Sequence, residues 1–337
     1  MWSDRFLAAM DEAGPGNREL VGKYKKAFSP AYAETFSAKR ALEDVARVER
    51  LGPARPIAID LHQPASVPDE QVQATILQFD APIPLSERVP VLENFGLRSI
   101  DERSYRVTPK FDDGARQVAL HEMVLATVDG SALDVDKHHE RLEEAFAAVR
   151  HGQADNDPFN RLVVAADAGW RDVAMLRAYA AYMRQIRAPF GMRYVSDTLL
   201  AYPELTKQFI ALFRTRFDSA SGLDAESRQQ HEDDIRDGLR AALSDVPSLD
   251  EDRILSYYID LISATQRTNF FQRGADGDVP ATISYKVAPR EVASIPAPRP
   301  HREIWCYSTR VEGVHLRFGP IARGGLRWSD RPQDFRT

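Results

Sequence analysis

The sequence predicts an α+β protein of two or three domains, and three observations support that prediction. Ile57, Ile59 and Leu61 alternate with small or polar residues, as in a half-buried strand, and further strand-like runs follow up to residue 127. On both sides of this segment, at 2–50 and 160–271, apolar residues recur at helical spacing. The length of 337 residues, with 43% hydrophobic and 28% charged residues, is ordinary for a soluble globular protein with buried cores.

The strand-rich segment contains the elements of a ferredoxin-like module. The patterns predict strands and helices as follows: strands at 57–61, 72–79, 99–108 and 118–127, and helices at 86–95 and 135–150. Pro90 lies within the first of these helices, and we expect it to kink that helix or to begin it, because proline has no backbone N–H to donate. The order strand–helix–strand–strand–helix, a βαββα module, is most of a split βαβ unit.

Helical stripes and turn residues divide the rest of the chain. Ser37 is a predicted N-cap, and the apolar stripe after it includes Ala41, Val45 and Val48. Seven prolines and glycines between 274 and 300 predict a linker at that point. The predicted domains are a helical segment at 1–52, the ferredoxin-like module at 53–151, a helical region at 152–273, the linker at 274–300 and a further domain from 301 to 337.

Composition and charge exclude several classes of protein. No apolar run approaches the roughly 18 residues of a membrane helix, and the first residues lack the basic and apolar regions of a secretory signal. A single cysteine, Cys306, excludes an internal disulfide framework and a cysteine-based zinc site, and it fits a reducing cytoplasm. The net charge of -6 disfavours nucleic-acid binding.

A pair of histidines is the only pattern that suggests a metal. For His138 and His139, followed by Glu140, a solvated helix surface is favoured over a metal site. Adjacent side chains on a helix point to different faces, and no further ligand follows one turn later. We therefore predict no metal site.

The run RGGLRW at 323–328 is the strongest candidate for a binding site. The adjacent glycines, Gly324 and Gly325, let the backbone approach a ligand closely. An arginine on either side, Arg323 or Arg327, can hold a carboxylate through two parallel hydrogen bonds. The residues alone leave a second interpretation open, which is a β-turn with exposed charges. The surrounding chain, with ten Lys and Arg against five Asp and Glu over 281–337, fits either solubility or an anionic ligand.

Long, collinear stretches of the chain resemble one family, the large bacterial NAD-specific glutamate dehydrogenases. The start of that family's catalytic region resembles EIWCYSTRVEGVHLRFGPIARGGLRWSDRPQDFRT. Its regulatory and helical regions resemble, in order, VLENFGLRSIDERSYRV, FNRLVVAADAGWRDVAMLRAY, LFRTRFD, SLDEDRIL and ATQRTNFFQ. The resemblance implies an ACT-type ferredoxin-like module, a mainly helical region, and the truncated start of an α/β dehydrogenase catalytic domain.

The resemblance also implies a reaction and a substrate site. The full-length protein would oxidise L-glutamate with NAD, giving 2-oxoglutarate and ammonia. The family's K-G-G-[IL]-R segment helps to bind the substrate, and its matching positions here include Arg323, Gly324, Gly325 and Arg327. Arg323 would contact a carboxylate of glutamate or 2-oxoglutarate. Arg327 either joins it or pairs with Asp330 or Asp334 and shapes the loop.

The family's catalytic lysine, catalytic aspartate and nucleotide-binding domain follow this motif and are not in the 337 residues. The resemblance therefore implies an internal piece of a longer protein, with no catalytic or NAD-binding residue of its own, and we predict that the chain alone is inactive. It further implies an amino-acid effector at the ACT-like module and a homo-oligomer when full-length, while the lack of a long apolar run predicts no membrane partner. The alternative is a stand-alone ACT-like regulatory or interaction protein without catalytic activity.

Overall fold

The computed structural model describes residues 1–14, 18–52, 55–64, 67–111, 114–275 and 277–321. These residues form two compact units, of which the first runs from Met1 to His151 and the second begins at Gly152. The architecture is mixed α/β, because each unit combines helices with a four-stranded antiparallel sheet. No helix in the described part of the chain is both long enough and apolar enough to cross a membrane.

The first unit contains six α-helices and six strands among its described residues. They are α1 (Trp2–Glu12), α2 (Arg18–Tyr24), α3 (Pro30–Thr35), α4 (Ala38–Val48), β1 (Ile57–His62), β2 (Gln71–Phe79), α5 (Leu85–Asn94), β3 (Leu97–Val107), β4 (Lys110–Phe111), β5 (Gly114–Ala115), β6 (Val118–Thr127) and α6 (Val135–Arg150).

The four long strands of the first unit lie in the order β1-β2-β6-β3, and each neighbouring pair is antiparallel. Because β2 and β3 are both antiparallel to β6, they are parallel to each other, and α5 connects them with β6 in between. Strand β1 lies at the edge beside β2. The observed order is therefore strand–strand–helix–strand–strand–helix: both strands predicted before the helix are present, whereas the predicted βαββα order counts only one of them.

Both faces of this sheet are buried. One face packs on the N-terminal helices, since Leu120 of β6 belongs to the same buried core as Phe6 of α1 and Tyr32 of α3. On β6, successive side chains point to opposite faces. Met123 therefore lies on the other face of the sheet, where it is fully buried. Helices α5 and α6 cover that face. The sheet is a layer between two groups of helices.

The helix boundaries test two of the predicted signals. Ser37 accepts a hydrogen bond from the Arg40 backbone N–H (3.2 Å), so the predicted N-cap of α4 is confirmed. Helix α5 begins at Leu85 and contains Pro90, so a helix start at Pro90 is wrong. Burial of Val91 and Leu92 against the sheet offsets the hydrogen bond that Pro90 cannot make. Strand β6 and helix α6 have the predicted bounds.

The second unit contains six α-helices and four strands among its described residues. They are α7 (Leu162–Ala165), α8 (Trp170–Gln185), α9 (Met192–Ala201), α10 (Pro203–Phe217), α11 (Ala225–Ala242), α12 (Leu249–Ala264), β7 (Thr265–Thr268), β8 (Ile283–Val287), β9 (Arg302–Tyr307) and β10 (Glu312–Arg317).

Helix α8 is the centre of the second unit. Thirteen of its 16 residues are buried, which means that other elements surround it on nearly all sides. The sheet has the order β10-β9-β8-β7 and is antiparallel throughout. Residues 274–300, predicted as a linker, contain the strand β8, which pairs with both β7 and β9.

Candidate functional site

The four residues predicted to bind substrate, Arg323, Gly324, Gly325 and Arg327, lie outside the described residues. The structure shows the segment that leads to them. Strand β10 ends at Arg317, and residues 318–321 continue from it. The candidate site is therefore built here from the end of the second sheet.

Buried hydrogen bonds tie this sheet to helix α8. The indole N–H of Trp305 in β9 donates to the carbonyl oxygen of Ala178 (3.0 Å). On β8, the Tyr285 hydroxyl donates to the carbonyl oxygen of Met175 (3.1 Å). Trp305 and Tyr285 are fully buried, so water does not compete for either bond. Strand β9, which pairs with β10, and strand β8 beside it are thus held in one position on the helix.

Glu303 is a fully buried carboxylate in the strand beside the candidate site. The Tyr182 hydroxyl of α8 donates a hydrogen bond to Glu303 Oε2 (2.6 Å). On the strand side, Glu303 lies directly opposite Leu316 of β10. Burying a carboxylate is costly unless hydrogen bonds stabilise it. The Tyr182 contact therefore fixes the register of β9 over α8, and β10 follows because it pairs with β9.

A cavity of about 430 Å³ opens at the end of β10. Among the described residues it is lined by His315, Leu316, Arg317, Phe318, Gly319, Pro320 and Ile321. Two of these lining residues are hydrogen-bonded, since the Arg317 guanidinium donates to the carbonyl oxygen of Pro320 (3.3 Å). This volume falls in the range of small-molecule sites, about 300–1,000 Å³. The cavity is thus large enough for a small dicarboxylate at the point where the chain enters the RGGLR segment.

The end of the second sheet is electrostatically positive. The pKa of His301, the residue before β9, is lowered by loss of hydration and then by four positive charges, those of Arg302, Arg290, Arg317 and Lys286. Cationic neighbours favour the neutral imidazole. The same neighbours attract an anion. These residues form no local motif, and the one signal for them in the sequence is a basic residue at an outward position of each of three strands, as at Lys286, Arg302 and Arg317.

A second candidate lies in the first unit, where Ser104, His121 and Glu102 form a hydrogen-bonded group. Ser104 Oγ lies 2.7 Å from His121 Nδ1 and donates to Glu102 Oε1 (2.9 Å), while Glu102 Oε1 is 3.5 Å from the same ring nitrogen. Burial, followed by the nearby Arg88 guanidinium, lowers the pKa of His121 to about 4. Ser104 and Glu102 thus both contact Nδ1 of His121. A serine–histidine–carboxylate relay needs the two groups on opposite ring nitrogens, so these three residues do not form one. The group stabilises the sheet rather than activating a nucleophile.

A polar cluster joins helix α4 to the first sheet. The Arg40 guanidinium donates to Glu122 Oε2 (3.2 Å), and Arg40 Nη1 lies 3.0 Å from His62 Nε2. Thr75 Oγ1 donates to the same Glu122 oxygen (2.8 Å). Burial raises the pKa of the Glu122 carboxyl, and the Arg40 charge opposes that shift. The cluster links the N-terminal helices to β1, β2 and β6.

The histidine pair of α6 differs from the predicted solvated surface. His138 is buried, with 6% of its surface exposed, and His139 Nδ1 lies 3.0 Å from the Val135 carbonyl oxygen. The stripe formed by Leu142 and Phe146 continues to His138 at helical spacing and carries it into the core. Among the described residues, no group of three or more His, Cys, Asp or Glu side chains could hold a metal ion.

Four family models match successive segments of the chain. "Glutamate dehydrogenase, helical motif 2" matches residues 9–51, and "Glutamate dehydrogenase, ACT3 domain" matches 56–138. "Glutamate dehydrogenase, helical motif 3" matches 154–219. "Bacterial NAD-glutamate dehydrogenase, catalytic domain" matches 238–337, a range that begins in α11 and includes the predicted substrate motif.

Three similar proteins are each named NAD-specific glutamate dehydrogenase. The NAD-specific glutamate dehydrogenase of Pseudomonas aeruginosa is 40% identical over 338 residues, and that of Halomonas elongata is 40% identical over 342. The Mycobacterium tuberculosis protein is 34% identical over 350 residues. Each match covers the whole chain but only 20–21% of the relative, so the chain spans about a fifth of their length. Because four models and three relatives agree in order along its whole length, the chain belongs to the bacterial NAD-glutamate dehydrogenase family.

Proposed function

We propose that the chain is part of an NAD-dependent glutamate dehydrogenase, which converts L-glutamate, NAD⁺ and water to 2-oxoglutarate, ammonia and NADH. The observation that carries this proposal is the catalytic-domain match over 238–337, together with relatives of that name along the whole chain. The cavity at the end of β10 is large enough for a dicarboxylate substrate such as glutamate or 2-oxoglutarate.

In this proposal, the role of the chain is to bind and orient substrate. The substrate's α-carbon loses a hydride to the nicotinamide when NAD is bound. Arg323 holds a carboxylate through its guanidinium fork, the backbone at Gly324 and Gly325 approaches the substrate, and Arg327 either assists or shapes the loop. The described residues contain no G-x-G-x-x-G turn between a strand and a helix, which is the usual fingerprint of an NAD-binding domain.

For the first unit, we infer an ACT-type, ferredoxin-like regulatory module over 53–151 that takes an amino-acid effector. Two observations support this role. Strands β2 and β3 are parallel, are joined by α5 and flank β6, and the ACT3 model matches 56–138. Isothermal titration calorimetry of the chain with a panel of amino acids tests the role, and we expect heat from at least one of them. If none of the amino acids produced heat on binding, the module would have a structural role only.

The competing proposal is a stand-alone ACT-like regulatory or interaction protein without catalytic activity. The coding sequence beyond Thr337 distinguishes the two. An open frame that continues into a lysine-rich segment and a nucleotide-binding fingerprint supports the dehydrogenase, as does glutamate-dependent NADH formation by its product. A stop codon directly after Thr337 supports the stand-alone protein. For the dehydrogenase we further propose a homo-oligomer in the cytoplasm.

A further inference from the structure

The outward face of the second sheet is rich in basic side chains. On β8 and β9, residues alternate between buried and half-buried, and Tyr285, Glu303 and Trp305 point inward. The outward residues of the four strands include Arg267, Lys286, Arg302, His315 and Arg317, which we call the basic face. The remaining outward residues on β8, β9 and β10 are Ser284, Ile304, Cys306 and Gly313, so none of them is acidic.

Like charges face each other twice on this surface. Arg267 of β7 lies directly opposite Lys286 of β8, and Arg302 of β9 lies directly opposite Arg317 of β10. Such cross-strand pairs destabilise a sheet. Within the part of the chain that the structure describes, none of these four cations forms an ion pair with a carboxylate. Elsewhere in the same unit arginines do so, as Arg214 does with Asp172 (2.9 Å).

The donors of the basic face are only partly used. Arg317 Nε is buried and has no hydrogen-bond partner among the described residues. Arg302 donates through Nη1 to the carbonyl oxygen of His301 (2.6 Å), which is a neutral acceptor. Neighbouring cations also lower the pKa of His301, as described above. A surface that gathers unpaired cations lowers the stability of the folded chain. A bound anion would neutralise these charges and recover that stability, so the surface is suited to an anionic ligand.

We propose that the basic face binds a phosphate-bearing anion, the di- or triphosphate group of a nucleotide or of an inorganic polyphosphate. Four permanent cations exceed what one carboxylate or a dicarboxylate can neutralise, whereas a di- or triphosphate carries more charge. Guanidinium forks match phosphate oxygens in pairs. This site goes beyond the proposed glutamate site, since it uses the outward residues of the strands rather than the RGGLR segment.

Calorimetry of the 337-residue chain with inorganic pyrophosphate tests the proposal. We expect binding that weakens as salt is added, because exposed charges are screened. Arg302→Gln and Arg317→Gln should each weaken it about tenfold or more, since each removes a charge-assisted hydrogen-bond donor. Arg310→Gln is the matched control: Arg310 is exposed in the turn between β9 and β10, at the far end of the strands, and its loss should leave the affinity unchanged.

Two further measurements sharpen the test. In NMR titrations, the pKa of His301 should rise when pyrophosphate is bound, because the anion offsets the neighbouring positive charges. If tripolyphosphate binds as tightly as adenosine triphosphate, the basic face recognises phosphate groups alone. If adenosine triphosphate binds more tightly, the basic face recognises nucleotides. Both outcomes support the proposal.

Several results would overturn it. These are no pyrophosphate binding at low salt, equal affinity in Arg302→Gln and the wild type, or complete displacement by 2-oxoglutarate, which would assign the cations to the substrate site. Salt-dependent self-association that is lost in the variants, without any phosphate binding, would assign the face to a second copy. Circular dichroism monitors folding, and Lys286→Gln replaces any variant that unfolds. None of these results bears on whether the longer protein oxidises glutamate.

Discussion

Arg323 is the residue on which the proposed substrate site depends most directly. In the longer enzyme, Arg323→Ala should raise KM for glutamate about 10- to 100-fold, because hydrogen bonds to a charged group contribute about 1.5–3 kcal/mol. The affinity for NAD should change little, since the proposed contact is to the substrate. Steady-state kinetics with each substrate varied in turn measures both effects. Arg310→Ala is the control, and a KM equal to that of wild type in Arg323→Ala would remove this residue from the site.

His121 makes the stability of the first unit depend on pH. Its pKa is about 4 in the folded chain, against an ordinary value of about 6.5, so the unfolded chain binds the proton more readily. The contribution of neutral His121 is therefore full above pH 6.5 and is lost as the pH falls towards 4. Between pH 7 and 4.5, the loss is on the order of 2 kcal/mol.

Urea unfolding at several pH values measures this contribution. We expect His121→Asn to be less stable than wild type at pH 7 and to lose less stability than wild type on acidification, because asparagine does not titrate. His151→Asn, at an exposed position after α6, should keep the wild-type pH dependence. If the free energy of unfolding fell equally with pH in wild type and His121→Asn, the burial of His121 would not be the cause of the loss of stability in acid.

Among the elements, α4 illustrates how a local signal supports a larger contact. Its N-cap, Ser37, satisfies the Arg40 backbone N–H, and the Arg40 side chain then reaches Glu122 in the sheet. Ser37→Ala should lower the free energy of unfolding by about 1 kcal/mol. Chemical denaturation monitored by circular dichroism checks the value. Ser3→Ala, at an exposed position inside α1, is expected to have almost no effect, and equal losses in both variants would contradict the capping role.

Elements with strong local patterns were predictable, and elements defined by pairing were less so. Strand β6 is a mostly apolar run and helix α6 carries an apolar stripe, and both were predicted with their observed bounds. Helix α5 contains Pro90 because packing of its apolar face outweighs one missing hydrogen bond. Strand β8 was hidden because it is only five residues long, lies among prolines and glycines, and is defined by its pairing with β7 and β9.

At the scale of the whole molecule, we expect no dehydrogenase activity from the 337-residue chain alone. The catalytic lysine and the nucleotide-binding domain that the family resemblance places after the RGGLR segment are not in its sequence. The measurement is NADH formation by the purified chain with saturating glutamate and NAD. Adding the longer protein to the same assay is the positive control. Turnover by the chain itself would show that binding of NAD and proton transfer need no further residues.

The family, the helical and strand-forming segments, and the candidate motif at Arg323 could be predicted from the sequence, because each rests on residues that are close together along the chain. Which charges meet could not be predicted, because it depends on the three-dimensional fold. The cluster of Arg40, Thr75 and Glu122 and the facing pair of Arg302 and Arg317 depend on strand register. Register is set by packing and pairing over the whole sheet, and a shift of one residue in a strand would turn its side chains, such as Glu122 or Arg302, to the opposite face.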